Sequence, residues 1–351
     1  MTRFKNILFT SLIPALLVSA VSSAQTPFHV PEASQKAVVT QTIGISEVSV
    51  TYHRPGIKGR EVWGKLVPFG DVWRAGANEN TSISFSHQVK VEGKTLPAGT
   101  YGLHMIPTQD RWTVIFSKNA TSWGSFFYNE SEDALRITVK PQPTDQTEWL
   151  EYSFSDLSDT SAVLSLSWEK LRIPITLMFD TPSIVVAYAR DEYLRGASGF
   201  TWDGFNRAAQ YCVRKNINIA QALEWADRSI AISETFANLR TKAAVLDKMG
   251  RSAEATALRE KSMKLATEAD LNTLGYSYLN EGKRKEAVDL FERIVKEHPD
   301  SWNAYDSLGE ALATTGDTKG AIRNYEKALK IGVNEANKKR IDDILTKLKA
   351  K

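Results

Sequence analysis

The chain has 351 residues, 42% hydrophobic and 24% charged, a composition that excludes disorder and collagen-like structure and leaves room for two or three cores. The formal net charge is only +3, part of it from Arg3 and Lys5 near the N-terminus, so the chain as a whole has no electrostatic attraction for nucleic acid or acidic membranes. Cys212 is the only cysteine, which excludes an intramolecular disulfide and any multi-cysteine metal site.

Residues 1–24 read as a secretory signal. Arg3 and Lys5 form a basic start, an apolar run covers residues 7–21, and Ser22 and Ala24 are the small residues that signal peptidase requires before Gln25. The run is shorter than a spanning helix needs and is broken by Thr10, Ser11 and Pro14. The expected product is a periplasmic or secreted protein, without a lipoprotein cysteine and without membrane insertion of the mature chain.

Proline divides the rest of the chain. Ten of the twelve prolines lie between Pro27 and Pro182 and only Pro299 comes later, so the second half is free to be helical. Before Pro182, apolar residues alternate with polar ones, as in half-buried strands: Val48, Val50 and Tyr52; Tyr101, Leu103 and Met105; Trp112, Val114 and Phe116; Leu135, Ile137 and Val139. Leu164, Leu166 and Trp168 read as one more strand, and Ile173, Ile175, Leu177 and Phe179 as another. Glu92-Gly93 and Pro97-Ala98-Gly99 supply turns. About nine strands are expected over residues 25–182, in an antiparallel β-sandwich. Residues 183–202 read as a linker.

The helical half carries an internal repeat. Leu274, Gly275, Tyr278, Gly282, Ala287 and Phe291 are followed 34 positions later by Leu308, Gly309, Leu312, Gly316, Ala321 and Tyr325. This resembles the tetratricopeptide repeat, a helix pair stacked into a solenoid. Small residues at Gly275, Ala287, Gly309 and Ala321 let paired helices approach, while Phe291 and Tyr325 fill the space between pairs. Two further, degenerate units place Ala222 and Ala255 at the small position and Gly250 in the turn. The repeats are expected over residues 203–336, with a capping helix over 337–351 that carries Ile341, Ile344, Leu345 and Leu348 on one face.

Residues 52–81, YHRPGIKGREVWGKLVPFGDVWRAGANENT, are long for a sandwich connection. Arg54-Pro55, Lys58-Gly59-Arg60, Trp73-Arg74, Gly76-Ala77-Asn78-Glu79 and, further on, Leu96-Pro97-Ala98-Gly99-Thr100-Tyr101 resemble the bacterial domain-of-unknown-function family 2911 over residues 39–179. His53 stands where that family more often has serine. The resemblance implies a domain boundary and a cellular setting, and no activity.

Two readings of this loop stand side by side. In one, Arg54, Arg60, Trp73, Arg74, Asn78, Glu79 and His104 bind a small anionic or carbohydrate-like ligand, or form a hydrolase pocket with Arg74 as anion anchor and Glu79 or His104 as acid/base. In the other, the charged groups pair internally and the tryptophans plug the sandwich end. Convergence on an open cleft favours the first, mutual burial the second. An exposed Trp63, Trp73 or Trp123 platform would suit a sugar.

Other chemical motifs fail. Gly59 to Lys65 has the spacing of a phosphate loop, but Leu66 follows where a hydroxyl should hold magnesium and Pro68 where a helix should begin. His53, His87 and His104 are the histidines that a sandwich could bring together, yet none has local metal-pair spacing, so no metal and no cofactor is expected. Cys212 reads as a buried apolar residue.

For the repeats, the resemblance implies a concave groove lined by Arg207, Tyr211 and Arg214, then Arg240 and Asp247, then Asn272, Tyr276 and Asn280, then Asn303, Asp306 and Glu310. It would be basic at its start and acidic at its end, suited to a peptide or protein partner. The expectation is an exported, non-enzymatic binding scaffold, with the hydrolase or small-ligand protein as the alternative.

Overall fold

The computed structural model describes residues 30–350; the expected signal segment, 1–24, lies outside the described residues. Ten strands form two antiparallel sheets. They are β1 (Gln35–Ile43), β2 (Ser46–Arg54), β3 (Ser82–Phe85), β4 (Val89–Val91), β5 (Lys94–Leu96), β6 (Gly99–Ile106), β7 (Trp112–Ser117), β8 (Asp133–Val139), β9 (Gln142–Ser155) and β10 (Ser161–Met178). The order is β1-β2-β3-β6-β7-β8 in one sheet and β5-β4-β10-β9 in the other. The alternating apolar residues of both sheets meet in a single core that includes Val48, Val50, Tyr52, Leu103, Met105, Trp112 and Phe116.

The two strands expected around Trp168 and Ile173 are one 18-residue strand, β10. Its register against β9 shifts between Ser167 and Leu171, and Glu169 lies at φ 57°. A bulge there moves the buried positions from even (Leu164, Leu166, Trp168) to odd (Ile173, Ile175, Leu177), so a break in alternation read as a turn is an extra residue inside a strand.

Residues 183–202, read from the sequence as a linker, are mostly helical. Helix α1 (Thr181–Asp191) starts on Asp180, whose side chain accepts from the Ser183 N–H, with Pro182 in the first turn, where its missing N–H costs nothing. Two 3₁₀ turns follow, Tyr193–Arg195 and Ala197–Phe200. Helix α1 belongs to both halves: Ile184 packs on the sandwich core, while Val186 and Ala189 join Ala208, Ala209 and Cys212 in the first helical cluster.

Nine more helices follow: α2 (Trp202–Lys215), α3 (Ile219–Ile232), α4 (Phe236–Lys248), α5 (Ser252–Ser262), α6 (Glu268–Asn280), α7 (Arg284–Glu297), α8 (Trp302–Thr315), α9 (Thr318–Ile331) and α10 (Glu335–Lys349). They form four antiparallel pairs and a terminal helix, in a tetratricopeptide-like arrangement. Among the described residues, no helix is long and apolar enough to cross a membrane. Ile341 and Leu345 of α10 are buried against Tyr325 and Ala328, so this helix covers the last pair.

The glycines at the repeat offset are explained by distance. A Cβ on Gly275 would lie 2.5 to 2.9 Å from ring atoms of Phe291, whereas one on Gly309 would lie 3.2 Å from the Tyr325 ring. Gly275→Ala should therefore destabilise the repeats by about 1–2 kcal/mol, even after the gain in helix propensity of about 1 kcal/mol. Gly309→Ala should be close to neutral. Urea unfolding followed by far-UV circular dichroism compares the two, and equal losses would contradict this packing.

Candidate functional site

The loop after β2 packs as part of the sandwich. Val62, Val67 and Ala75 are buried in its core, Trp73 pairs with Met105 as an isolated antiparallel bridge, and Gly56 pairs with Trp149. Trp63 sits at 4.8 Å from Trp112 and 5.6 Å from Trp168, ring centre to ring centre, and Trp73 stacks on Trp168 at 5.9 Å. These indoles plug the end of the sandwich and offer no flat platform. Trp123 is more than half exposed but is stacked on Phe126.

The arginines of the loop do not converge. Arg54 donates to the Leu150 carbonyl at 2.9 Å and pairs with Glu151 at 3.3 Å. Arg60 folds back on its own loop, donating to the carbonyls of Ile57 (3.0 Å) and Gly56 (2.6 Å). Arg74 donates to the Asn78 carbonyl at 3.0 Å and lies over the rings of Trp123 and Phe126, where partial burial lowers its pKa from the usual arginine value. Each guanidinium holds backbone in place.

The three histidines also part company, although two share the outer face of the larger sheet. His87 is half-buried and lies 2.9 Å from the Ser86 hydroxyl. His104 is 1% exposed, with Nδ1 at 2.8 Å from Ser125 Oγ and its ring beside Tyr128. Burial pushes its pKa down to about 4, against a smaller opposing pull from Asp133, so it is neutral at pH 7 and a weak base. His53, 5% exposed, faces two carboxylates: Glu79 Oε2 at 3.2 Å and Glu32 Oε2 at 3.4 Å. Glu79 thus meets His53, not Arg54 or Arg74. Glu32 escaped the sequence reading, because nothing in its spacing links it to residues 53 and 79; only the path of the N-terminal segment brings it there.

In the helical half a cleft of about 510 Å³ opens between α2, α4 and α6. Val213, Phe236 and Leu274 give it an apolar floor, and Arg214, Arg240 and Asp270 stand at its walls. Arg214 lies over the Tyr211 ring at 6.0 Å and Arg240 over Phe236 at 5.4 Å; neither forms an ion pair among the described residues.

The remaining groove positions are used within the fold. Arg207 pairs with Asp203 at 2.6 Å, and Asp247 with Arg259. Tyr276 donates to Glu310 at 2.9 Å, and burial raises its pKa to about 12. Asn272 is half-buried, Asn303 likewise, and Asn280 is exposed. Asp306 is buried and accepts from Arg340 of α10 at 2.6 Å; burial raises its pKa, with Arg340 opposing. Asp247 and Asp306 are thus paired with arginines within the fold, and the open cleft carries Arg214 and Arg240 against one acidic residue, Asp270. Cys212 is buried, and burial raises its thiol pKa, as for a core residue.

With this geometry in view, comparison with known proteins identifies both halves. Residues 34–177 match the family described as "Protein of unknown function (DUF2911)", and residues 273–301 and 303–331 each match a tetratricopeptide repeat. The chain thus joins a domain of that family to C-terminal tetratricopeptide repeats, modules that point to a protein-binding scaffold. No curated protein matches it. Among solved structures it resembles YrrB, described as a TPR protein with an unusual peptide-binding site, at 17% identity and a TM-score of 0.27 over 44% of this chain and 80% of that one. It resembles MamA at 14% identity and 0.29, over 45% and 92%. The C-terminal part of a TPR repeat-containing protein from Cytophaga hutchinsonii is similar at 14% and 0.30, over 44% and 61%. These likenesses concern fold alone.

The buried His104 makes the β domain sensitive to acid. Its folded pKa lies below the ordinary value of 6.5, so the unfolded chain binds the proton that the folded one refuses. Its contribution to stability is complete above about pH 6.5 and is lost as pH falls toward 4, amounting to about 2–3 kcal/mol over that window. Urea unfolding across the window should show His104→Gln with a flatter decline than the parent protein. An equally steep decline would remove His104 as the cause.

Proposed function

We propose that this protein is an exported binding scaffold whose helical repeats hold an extended, acidic segment of a partner protein in the cleft between α2, α4 and α6. The observation that carries the reading is the cleft itself: an apolar floor flanked by Arg214 and Arg240, whose guanidinium groups lie over aromatic rings and remain able to receive carboxylates. Aromatic and arginine side chains in a concave apolar surface are the groups that dominate peptide affinity. The repeats supply the scaffold, and the β domain, joined through α1, supplies a rigid base.

Export rests on the N-terminal pattern: a basic start, a short apolar run, and small residues before Gln25. In bacteria expressing the full chain, mass spectrometry of the envelope-fraction protein should find an N-terminus at Gln25. A chain that retains its first 24 residues in the cytoplasm would refute export.

For the groove, a library of fluorescent acidic peptides is titrated against the full chain. Arg214→Glu with Arg240→Glu should weaken the best binders by about tenfold or more, and added salt should weaken the parent in the same direction. Trp123→Ala, on the β domain, should bind as the parent does. Peptide binding that ignores both arginines, or that follows Trp123, would overturn the assignment.

A further inference from the structure

The cluster at His53 lies outside the binding groove, and the repeats make no use of it. His53 stands at the end of β2 on the outer face of the six-stranded sheet, opposite Lys36 of β1. Glu79 reaches it from the end of the loop and Glu32 from the segment before β1. One ligand atom from each of the three lies within 4.8 Å of the others.

The distances are informative. A charge-assisted N–H···O⁻ bond settles at about 2.7–2.9 Å, and an imidazole Nε2 carries at most one hydrogen. Here Nε2 faces two carboxylate oxygens, at 3.2 and 3.4 Å, both longer than such a bond. A tetrahedral ion with bonds of about 2.0–2.1 Å to nitrogen and carboxylate oxygen sets its ligands about 3.3 Å apart. The two nitrogen–oxygen separations match edges of that tetrahedron, the carboxylate oxygens lie within 4.8 Å of each other, and a cation between them would satisfy both carboxylates and the ring nitrogen together.

Two further observations point the same way. Asn80 is 8% exposed, and its Oδ1 is buried without a hydrogen-bond partner among the described residues, while its Nδ2 donates to the Asn119 carbonyl at 3.2 Å. Asn80, with all three ligand residues, lines a cavity of about 470 Å³ whose walls also include Lys36, Thr51 and Ser82. Asn78, beside Glu79, donates from Nδ2 to Glu32 Oε2 at 2.9 Å and to the Ser34 carbonyl at 3.1 Å. It fixes Glu32, which reaches the cluster from the segment before β1, as outer partners of metal ligands do.

We propose that Glu32, His53 and Glu79 bind a divalent first-row transition ion of the zinc type, with an open coordination position facing the cavity that Asn80 also lines. One imidazole and two carboxylates form a mixed nitrogen and oxygen set, which favours Zn²⁺ over Ca²⁺ or Mg²⁺. Three protein ligands and a cavity are the arrangement of an ion that still accepts water or a small ligand.

The test uses the tag-free full chain, dialysed against chelator and titrated with Zn²⁺ by calorimetry, and with Co²⁺ as an optical probe of coordination. The expected result is one Zn²⁺ per chain, and a Co²⁺ spectrum of four-coordinate nitrogen and oxygen ligation. His53→Ala and Glu79→Gln should each weaken binding by at least about tenfold, and Asn78→Ala by about tenfold through its hold on Glu32. His87→Ala should bind as the parent does. Circular dichroism confirms folding, and the exposed Glu79→Gln site keeps the test valid if His53→Ala fails to fold. Absence of stoichiometric Zn²⁺ uptake, or uptake unchanged in Glu79→Gln, would overturn the site.

Discussion

The β domain depends on a cluster of four indoles that ties its two sheets to its longest loop. Trp112 comes from β7 of the larger sheet, Trp168 from β10 of the smaller, and Trp63 and Trp73 from the loop between β2 and β3. Burying an indole removes roughly 200 Å² from water, worth about 5 kcal/mol as an upper figure. Among the described residues, the indole N–H groups of Trp63 and Trp112 are buried without partners, a cost of about 1–3 kcal/mol each. Burial wins, so a loop rich in glycine, proline and charge is held as firmly as a strand. Arg60 then satisfies carbonyls that this irregular path leaves open, and Arg54 ties its start to the Leu150 carbonyl of β9.

A second constraint joins the halves. Gly44 lies at φ 62°, and a Cβ there would come within 2.5 Å of Thr181 and 2.6 Å of the Asp159 carbonyl. The turn between β1 and β2 therefore lets the first residue of α1 sit against the sandwich, where Thr181 also donates to the Asp159 carbonyl at 2.8 Å. With Ile184 on one core and Val186 and Ala189 in another, α1 acts as a rigid bracket, and the first repeat inherits its orientation from the sheet.

The sequence made visible whatever depends on local periodicity. The 34-residue offset exposed the repeats because Gly275 against Phe291 and Gly309 against Tyr325 are contacts that each pair must remake. Strand alternation was legible up to Glu169, where one left-handed residue inverted the parity and imitated a turn. The α1 helix was hidden behind Pro182, since a proline that ends a helix and one that opens it look alike until the capping Asp180 is weighed with it. Long-range partners were not legible. Arg54, Arg74 and Glu79 lie close in sequence, and all three turn away from one another toward Glu151, Asn78 and His53. Asp306 had the position of a groove residue, yet its partner Arg340 lies on a helix that a groove pattern does not include.

The loop's backbone explains how a cluster drawn from three separate segments keeps its geometry. Ala75 and Asn78 adopt left-handed conformations at φ 51° and 55°, which costs about 1 kcal/mol or more for a residue with a Cβ. Such strain persists only where the surroundings over-determine the chain. Here the Ala75 carbonyl accepts from Tyr152 Oη at 2.9 Å and from Thr81 Oγ1 at 3.3 Å, the Gly76 carbonyl from Trp73 Nε1 at 3.1 Å, and the Asn78 carbonyl from Arg74. The side chains of Tyr152, Thr81, Trp73 and Arg74 thus set residues 75–78, and with them the direction in which Glu79 leaves the loop and the reach of Asn78 to Glu32. The outer face of the sheet is thus arranged in part by the core behind it: the packing that closes the sandwich end orients Glu79 toward His53, and through Asn78 it also holds Glu32 there.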